Sequence, residues 1–348
     1  MPASRAQQLA FAGLQTARVA FYGVHYLAAR LAARESFDVL QKTEHPVPSL
    51  AAMARAMAEL FAQDWRNVEA GLYPAPLNIL KEARRAMASI DYLRDIPKVV
   101  NRQKRHGHSE ARAKAPDEKL PRYFQQNFHY QTDGYLSDDS AKIYDFQVEA
   151  LFAGTAEAMR RRAYVPIAKY LEKRDPAKAT LLDIGAGTGR FLSFVKSVQP
   201  NLKMTALDLS KPYLARAERA LRHARGVKFV EAAAEAIPLK DNSVDIAVSI
   251  YLFHELPPKV RAAAAKEIAR VLKPGGIFIL ADTIQYGDAP EFDGLIDVFP
   301  ELLHEPYYKT YAQTDLAKLF TSLKRASDDI AYLTKISVFE KASRRKKL

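Results

Sequence analysis

The chain has 348 residues, room for one large domain or two with a sizeable core. It is 48% hydrophobic and 26% charged, as globular proteins are, and with no cysteine it can have no disulfide, thiolate metal site or cysteine nucleophile. The net charge of +12 is uneven: Lys and Arg exceed Asp and Glu by 6 over residues 1–119, by 1 over 120–340 and by 5 in the last eight. Basic ends of this kind suit an anionic membrane or nucleic acid, or serve solubility alone.

Residues 6–34 read as an amphipathic helix, with Leu9, Leu14, Val19, Tyr22, Tyr26 and Leu27 among its apolar positions. Arg5, Arg18 and Arg30 interrupt it before it reaches the roughly 20 apolar residues of a membrane span. The first 34 residues hold no acid, as in a mitochondrial presequence, but a helix kept in the mature protein accounts for the same facts. A cytoplasmic protein able to lie against a membrane is expected. A second helix runs from a Ser49 N-cap to about Val68, and a third from Leu77 to Leu93, so residues 1–97 form an all-helical module. Residues 98–121, with Lys98, Arg102, Lys104, Arg105, Arg112 and Lys114, lose the apolar pattern and read as a basic linker. His106 and His108 lie there as solvated loop residues, and no metal site is expected. The remainder, 122–348, reads as one domain with a basic tail.

From Thr180 onward strand and helix patterns alternate. Strands are expected at 180–185, 203–209, 227–232, 244–251 and 276–284, with helices at 189–198, 211–224 and 258–272 between them. That order implies an α/β fold: a Rossmann-like parallel sheet with helices on both faces. Runs at 327–333 and 335–341 are too close for a crossover and should pair antiparallel. Asp183-Ile184-Gly185-Ala186-Gly187-Thr188-Gly189 is strand, tight turn and helix start. Its glycines permit positive φ, and the helix N-terminus offers N–H groups to a small polar ligand. A nicotinamide site would place its third glycine one residue later. Asp183 at the strand end repels a pyrophosphate and attracts an ammonium or sulfonium. Asp208 closes the second strand about twenty residues on, where such folds hold a ribose.

These segments resemble the class I S-adenosylmethionine-dependent methyltransferases. Leu182–Gly189 is similar to that family's first motif and Ala206–Ser210 to its second. Glu231–Leu239 with Asn242–Asp245, and Leu272–Gly276, resemble its adenine loop and the turn before strand five. In flavour the chain is similar to ubiquinone- and menaquinone-biosynthesis small-molecule methyltransferases. The resemblance implies S-adenosyl-L-methionine as cofactor, with Gly185, Ala186, Gly187 and Gly189 along its methionine part and Asp183 at its amino group. It implies Asp208 at the ribose, Leu209 against the adenine and Ile250, at the end of strand four, as a further cofactor contact. Ala233 stands where the family often has an acid, so adenine recognition passes to backbone near Ala234 and Glu235.

Methyl transfer needs an aligned nucleophile and, for a neutral acceptor, a base. His254, after strand four, is the candidate base, with Glu255 to orient it; packing beneath the cofactor is the alternative for the same ring. The acceptor side is expected between Ile284 and Ala312, where Tyr286, Phe292, Phe299, His304, Tyr307, Tyr308 and Tyr311 alternate with Asp288, Glu291, Asp293, Asp297, Glu301 and Glu305. Tyr286, His304 and Tyr308 are its candidate substrate contacts, with Tyr130, Tyr135 and Tyr144 as an opposite wall. An acidic rim disfavours a polyanionic acceptor. The expectation is methyl transfer to a small hydrophobic or aromatic acceptor. Alternatives are an RNA or protein methyltransferase gripping its polymer with the basic linker and tail, and a non-catalytic binding module.

Overall fold

The computed structural model describes residues 4–33, 43–78, 87–114 and 120–343. The middle of the expected 77–93 helix, the end of the linker, the Glu301 side chain and the basic tail from Arg344 lie outside the described residues. The chain divides into two compact units, Met1–Met159 with Glu291–Glu305, and Arg160–Pro290 with Pro306–Leu348. These boundaries differ from the sequence divisions at 97 and 121: the first unit reaches further, and it takes a piece of the expected acceptor side.

The first unit is helical. Its first helix, Arg5–Ala33, buries Phe11 against Trp65 and Tyr22 against Phe146, with ring centroids 5.4 and 5.2 Å apart. Helix Leu50–Glu69 begins as expected, Ser49 Oγ accepting the N–H of Ala52 at 3.1 Å. Residues 98–104 are not a linker. They continue helix Ala88–Lys104 past Pro97, which is exposed. The helix persists because Arg102 is buried: it pairs with Glu110 at 2.9 Å and donates to the Tyr130 carbonyl. Helix Asp138–Leu151 is capped by Ser137 and tied to the first helix by a buried Arg18–Glu149 pair at 2.8 Å. Helix Asp293–Leu303 belongs here because Gly294 has no side chain: a Cβ would lie 2.4 Å from the Pro46 carbonyl, to which Gly294 N–H donates. Asp297 then accepts the N–H groups of Glu44 and His45, both at 3.1 Å.

The second unit is built on a seven-stranded sheet, β1 Thr180–Ile184, β2 Lys203–Asp208, β3 Val227–Glu231, β4 Val244–Ile250, β5 Leu272–Thr283, β6 Lys324–Ala331 and β7 Thr334–Glu340. The spatial order is β3-β2-β1-β4-β5-β7-β6; β1 to β5 are parallel, while β7 runs antiparallel to β5 and to β6. The α/β Rossmann-like class with an antiparallel final strand is therefore the observed one. Near-continuous apolar runs such as Leu181-Leu182 and Phe278-Ile279-Leu280 are at most 1% exposed, as strands covered on both faces must be. β5 begins four residues earlier than expected, pairing Leu272 with Val244 before a bulge at Val244/Ile246. Gly276 allows this, since a Cβ there would sit 2.8 Å from the Asp245 carbonyl.

Candidate active site

The C-terminal ends of the parallel strands gather the candidate residues, where open α/β sheets place their ligands. Asp183 on β1 pairs in register with Ala206 and Val248, and Ile250 on β4 with Ala281. Behind β1 the chain turns through Gly185 (φ 74°), Gly187 (φ 54°) and Gly189 (φ 74°) into helix Arg190–Val198. The three glycines differ in what their missing side chain provides. A Cβ on Gly189 would lie 2.9 Å from that of Ala217, so this glycine serves packing; on Gly187 it would enter open space. Gly187 is therefore the glycine against which a ligand can lie.

The loop spends most of its donors on itself. Gly185 and Ala186 N–H donate to the Leu207 carbonyl at 2.8 and 3.0 Å, and Gly189 N–H to that of Ala186 at 2.9 Å. Asp208 Oδ2 accepts Gly187 N–H at 2.7 Å and its Oδ1 accepts Ser210 N–H at 2.8 Å. Asp208 thus shapes the loop. The N–H groups these bonds consume are the loop's own, at Gly185, Ala186, Gly187 and Gly189, and not those of the first turn of helix Arg190–Val198.

Asp183 is the opposite case. It is 2% exposed, and its carboxylate has no hydrogen-bond partner among the described residues. Burial, then the negative charge of Asp208, push its pKa up to about 8 against the pull of Arg160. Asp208 rises to about 6, mainly by burial and despite its backbone bonds. An orphaned buried carboxylate beside an open glycine fits a small cationic group. Leu209 and Glu235 are half-buried and Ala234 buried in the segments after β2 and β3. The loop beyond is held by Arg270, which donates to the Ile237 and Leu239 carbonyls at 2.8 Å while pairing with Glu267 and Asp241 at 2.7 Å.

After β4 a tight turn, Phe253–Glu255, carries His254. Leu252, just before it, would be 3.1 Å from a Cβ on Gly185, so the turn abuts the glycine loop. His254 Nδ1 lies 2.5 Å from Asp282 Oδ1, and Asp282 Oδ2 accepts Phe253 N–H at 2.8 Å. The expected orienting residue, Glu255, is replaced in that role by Asp282 at the end of β5; Glu255 contributes its charge. Burial presses the ring toward neutrality, but the charge and hydrogen bond of Asp282, with Glu255, outweigh it and lift the pKa above the ordinary histidine value. Nε2 bears no hydrogen bond among the described residues. Sequence reading missed Asp282, although an acid closing an apolar strand is the signal that found Asp183 and Asp208. Arg261, also missed, is a 1% exposed cation in helix Pro258–Val271 with no distinguishing pattern.

The expected acceptor side is split. Tyr308 and Tyr311, on helix Tyr308–Ala312, are buried with their ring centroids 5.7 and 6.4 Å from that of His254. Tyr286 N–H donates to the Ala312 carbonyl at 3.3 Å. His304 instead belongs to the first unit, where its ring stacks on His108 at 4.5 Å and Nε2 meets Gln126 Oε1 at 3.2 Å. Burial, then His108 and His129, lower its pKa to about 4, so the ring is neutral. His108 is an exposed loop residue, as expected, and one face of its ring is covered by His304. Tyr130 and Tyr135 are buried in the same unit, Tyr135 stacked on Phe128 at 5.6 Å. Nor do the acids form a bare rim: Asp288 pairs with Lys335 at 2.6 Å, while Asp297 and Glu305 lie 3.0 and 3.1 Å from ring nitrogens of His45 and His129. The Lys335 pair removes one charge from the like-charge argument against a polyanionic acceptor.

Residues 182–280 match the family described as Methyltransferase domain. A malonyl-(acyl-carrier protein) O-methyltransferase of Methylococcus capsulatus is 38% identical over 101 residues, covering 29% of this chain and 36% of that protein. A carboxy-S-adenosyl-L-methionine synthase of Aeromonas hydrophila subsp. hydrophila is 31% identical over 157 residues, 42% of this chain and 59% of its own length. A demethylmenaquinone methyltransferase of Thermus thermophilus is 34% identical over 149 residues, 42% of this chain and 64% of its own. The chain thus spans less than two thirds of each relative.

Proposed function

We propose, from a chain whose residues 182–280 are a class I S-adenosylmethionine-dependent methyltransferase domain, that this protein methylates a small hydrophobic or aromatic acceptor by in-line displacement. The observation that carries the cofactor reading is Asp183, a buried carboxylate without a hydrogen-bond partner among the described residues, near the open Gly187. When bound, S-adenosylmethionine supplies an electrophilic methyl carbon on a positively charged sulfur. Asp183 would hold its ammonium, and Arg160, whose charge reaches Asp183, its carboxylate. Asp208 retains lone pairs for ribose hydroxyls beyond its bonds to the Gly187 and Ser210 N–H groups. Leu209 would lie against the adenine, with backbone near Ala234 and Glu235 at its edge.

His254 is the proposed base. Asp282 holds Nδ1, which fixes the proton there and leaves Nε2 to take one from a hydroxyl, amine or acidic carbon of the acceptor. Asp282 then stabilises the imidazolium. The aromatic rings of Tyr308 and Tyr311 beside His254 favour an apolar acceptor. The name of the Thermus relative, a demethylmenaquinone methyltransferase, is in keeping with such a substrate. The polymer reading loses part of its support, because Arg102 of the supposed basic linker is buried and paired.

Peripheral contact with an anionic membrane is the second part of the proposal. No helix among the described residues is long and apolar enough to cross a membrane. Helix Arg5–Ala33 nevertheless exposes Leu9, Val24, Leu27 and Leu31, carries Arg5 and Arg30, and contains no acid. Flotation with vesicles of anionic lipid should retain the protein, and vesicles of neutral lipid should not; equal failure on both removes this part. The central test is transfer of label from S-adenosylmethionine into fractionated cell extract. Label should enter the lipid or small apolar fraction and be lost with Asp208→Ala. Label in RNA or protein overturns the acceptor class, and unchanged transfer by the variant overturns the cofactor site.

A further inference from the structure

Arg261 is among the largest fully buried side chains, and a guanidinium taken out of water destabilises the fold unless acceptors meet it. Here acceptors reach it from two sides. Nε donates to the Phe253 carbonyl and Nη2 to the Leu256 carbonyl, both at 3.0 Å, so the turn around His254 is gripped before and behind the ring. Nη1 donates to Thr314 Oγ1 at 2.9 Å, and Nη2 reaches the Tyr307 carbonyl and Thr310 Oγ1, each at 3.3 Å. The guanidinium carbon also lies 5.4 Å from the ring centre of Tyr311, one of the two tyrosines beside His254. All of these residues belong to the second unit.

We propose that Arg261 is a positioning residue, which ties the turn carrying His254 to the 307–314 segment and so fixes the imidazole on Asp282. The proposal rests on the reading of His254 as the base. It explains why an arginine stands here: three nitrogens in a rigid plane reach two carbonyls of one segment through Nε and Nη2 while Nη1, with a shared Nη2 donor, reaches the other. A lysine has the charge but not the fork. The groups that face the His254 ring are Asp282 from β5, Glu255 from its own turn, Arg261 from the neighbouring helix, and Tyr308 and Tyr311 from helix Tyr308–Ala312. Among these Arg261 acts in two ways. Its charge opposes protonation of the ring, whereas its hydrogen bonds keep the ring against Asp282, which favours protonation.

Arg261→Lys separates the two, because charge is kept and geometry lost. The readout is the titration of His254 in full-length protein with nitrogen-labelled imidazoles, the resonance identified by its loss in His254→Gln. In Arg261→Lys the titration should fall toward the ordinary histidine value by about one pH unit, the scale of a weakened charge-assisted hydrogen bond. Thr314→Val removes one partner from a half-buried position and should move it the same way by less, which keeps the test open if the lysine variant does not fold. Binding of S-adenosylhomocysteine should stay within about twofold of the parent, since Asp183 and Asp208 are untouched. A His254 titration unchanged in the folded variants, or moved upward, overturns the proposal and leaves Arg261 a staple of the fold. Failure of the parent to bind S-adenosylhomocysteine would instead count against the methyltransferase reading, and the titration would still decide the role of Arg261.

Discussion

Asp183 and His254 are both buried, ionisable and set at the ends of neighbouring parallel strands, but they are prepared in opposite ways. His254 has its carboxylate partner in place, its turn gripped by a guanidinium and one ring nitrogen left over. Asp183 has a backbone fixed by two neighbouring strands and a side chain with no hydrogen-bond partner among the described residues. The difference teaches how one fold divides the work: a base must be oriented before the acceptor arrives, whereas a binding carboxylate gains most if its counter-charge comes with the ligand.

The largest effect should come from breaking the prepared end. Asp282→Asn removes the charge that holds His254 and should lower turnover by roughly a hundredfold to ten-thousandfold, with the affinity for S-adenosylhomocysteine nearly unchanged. A turnover number and a calorimetric titration on the same sample check both halves. Breaking the unprepared end should do the reverse. Asp183→Asn should weaken S-adenosylhomocysteine binding by about a hundredfold or more, the cost of leaving a buried ammonium unpaired. The same variant should melt higher than the parent in the free state near pH 8. In the folded chain the Asp183 pKa is raised to about 8, above its unfolded value, so stability is lost as pH climbs between the two and flattens above the upper one. Asparagine has no such loss.

The same titration makes cofactor affinity depend on pH. An ammonium favours ionised Asp183, so S-adenosylhomocysteine should bind more tightly as pH rises toward 8, by up to about tenfold per unit, and release protons on binding. Calorimetry in buffers of different ionisation enthalpy reads that release; an affinity flat from acid to neutral pH would show that no proton leaves Asp183. The smallest effects distinguish two glycines. Gly189→Ala meets Ala217 at 2.9 Å and should cost the fold about 1–3 kcal/mol. Gly187→Ala carries backbone strain of about 1–2 kcal/mol with no clash, and should reveal itself mainly as weaker ligand binding. Paired melting curves and binding isotherms separate the two.

Local signals carried much of this molecule. Strand and helix periods from Thr180 onward, the three glycines and the acids closing β1 and β2 were legible because each is set by neighbours within a few residues. Residues 98–104 were not: cations without an apolar period read as solvated, and nothing nearby in sequence says that Arg102 will be buried against the Tyr130 carbonyl and Glu110. The acceptor side was misread for a similar reason. Alternating aromatics and acids between 284 and 312 form one stretch in sequence, but Gly294 and Asp297 bind residues 44–46, and part of the stretch follows them into the first unit.

The sequence by itself determined the order of strands and helices, the turn that makes room at Gly187 and the carboxylates beside it, since backbone conformation and side-chain period are local properties. Tertiary structure alone decided which partner each charge would have. Asp282 reaches His254 across 28 positions, Arg261 reaches Thr314 across 53, and Asp183 receives no partner from the described chain. A charge taken out of water must find its complement in space or wait for one, and that choice is made only when distant strands are brought side by side.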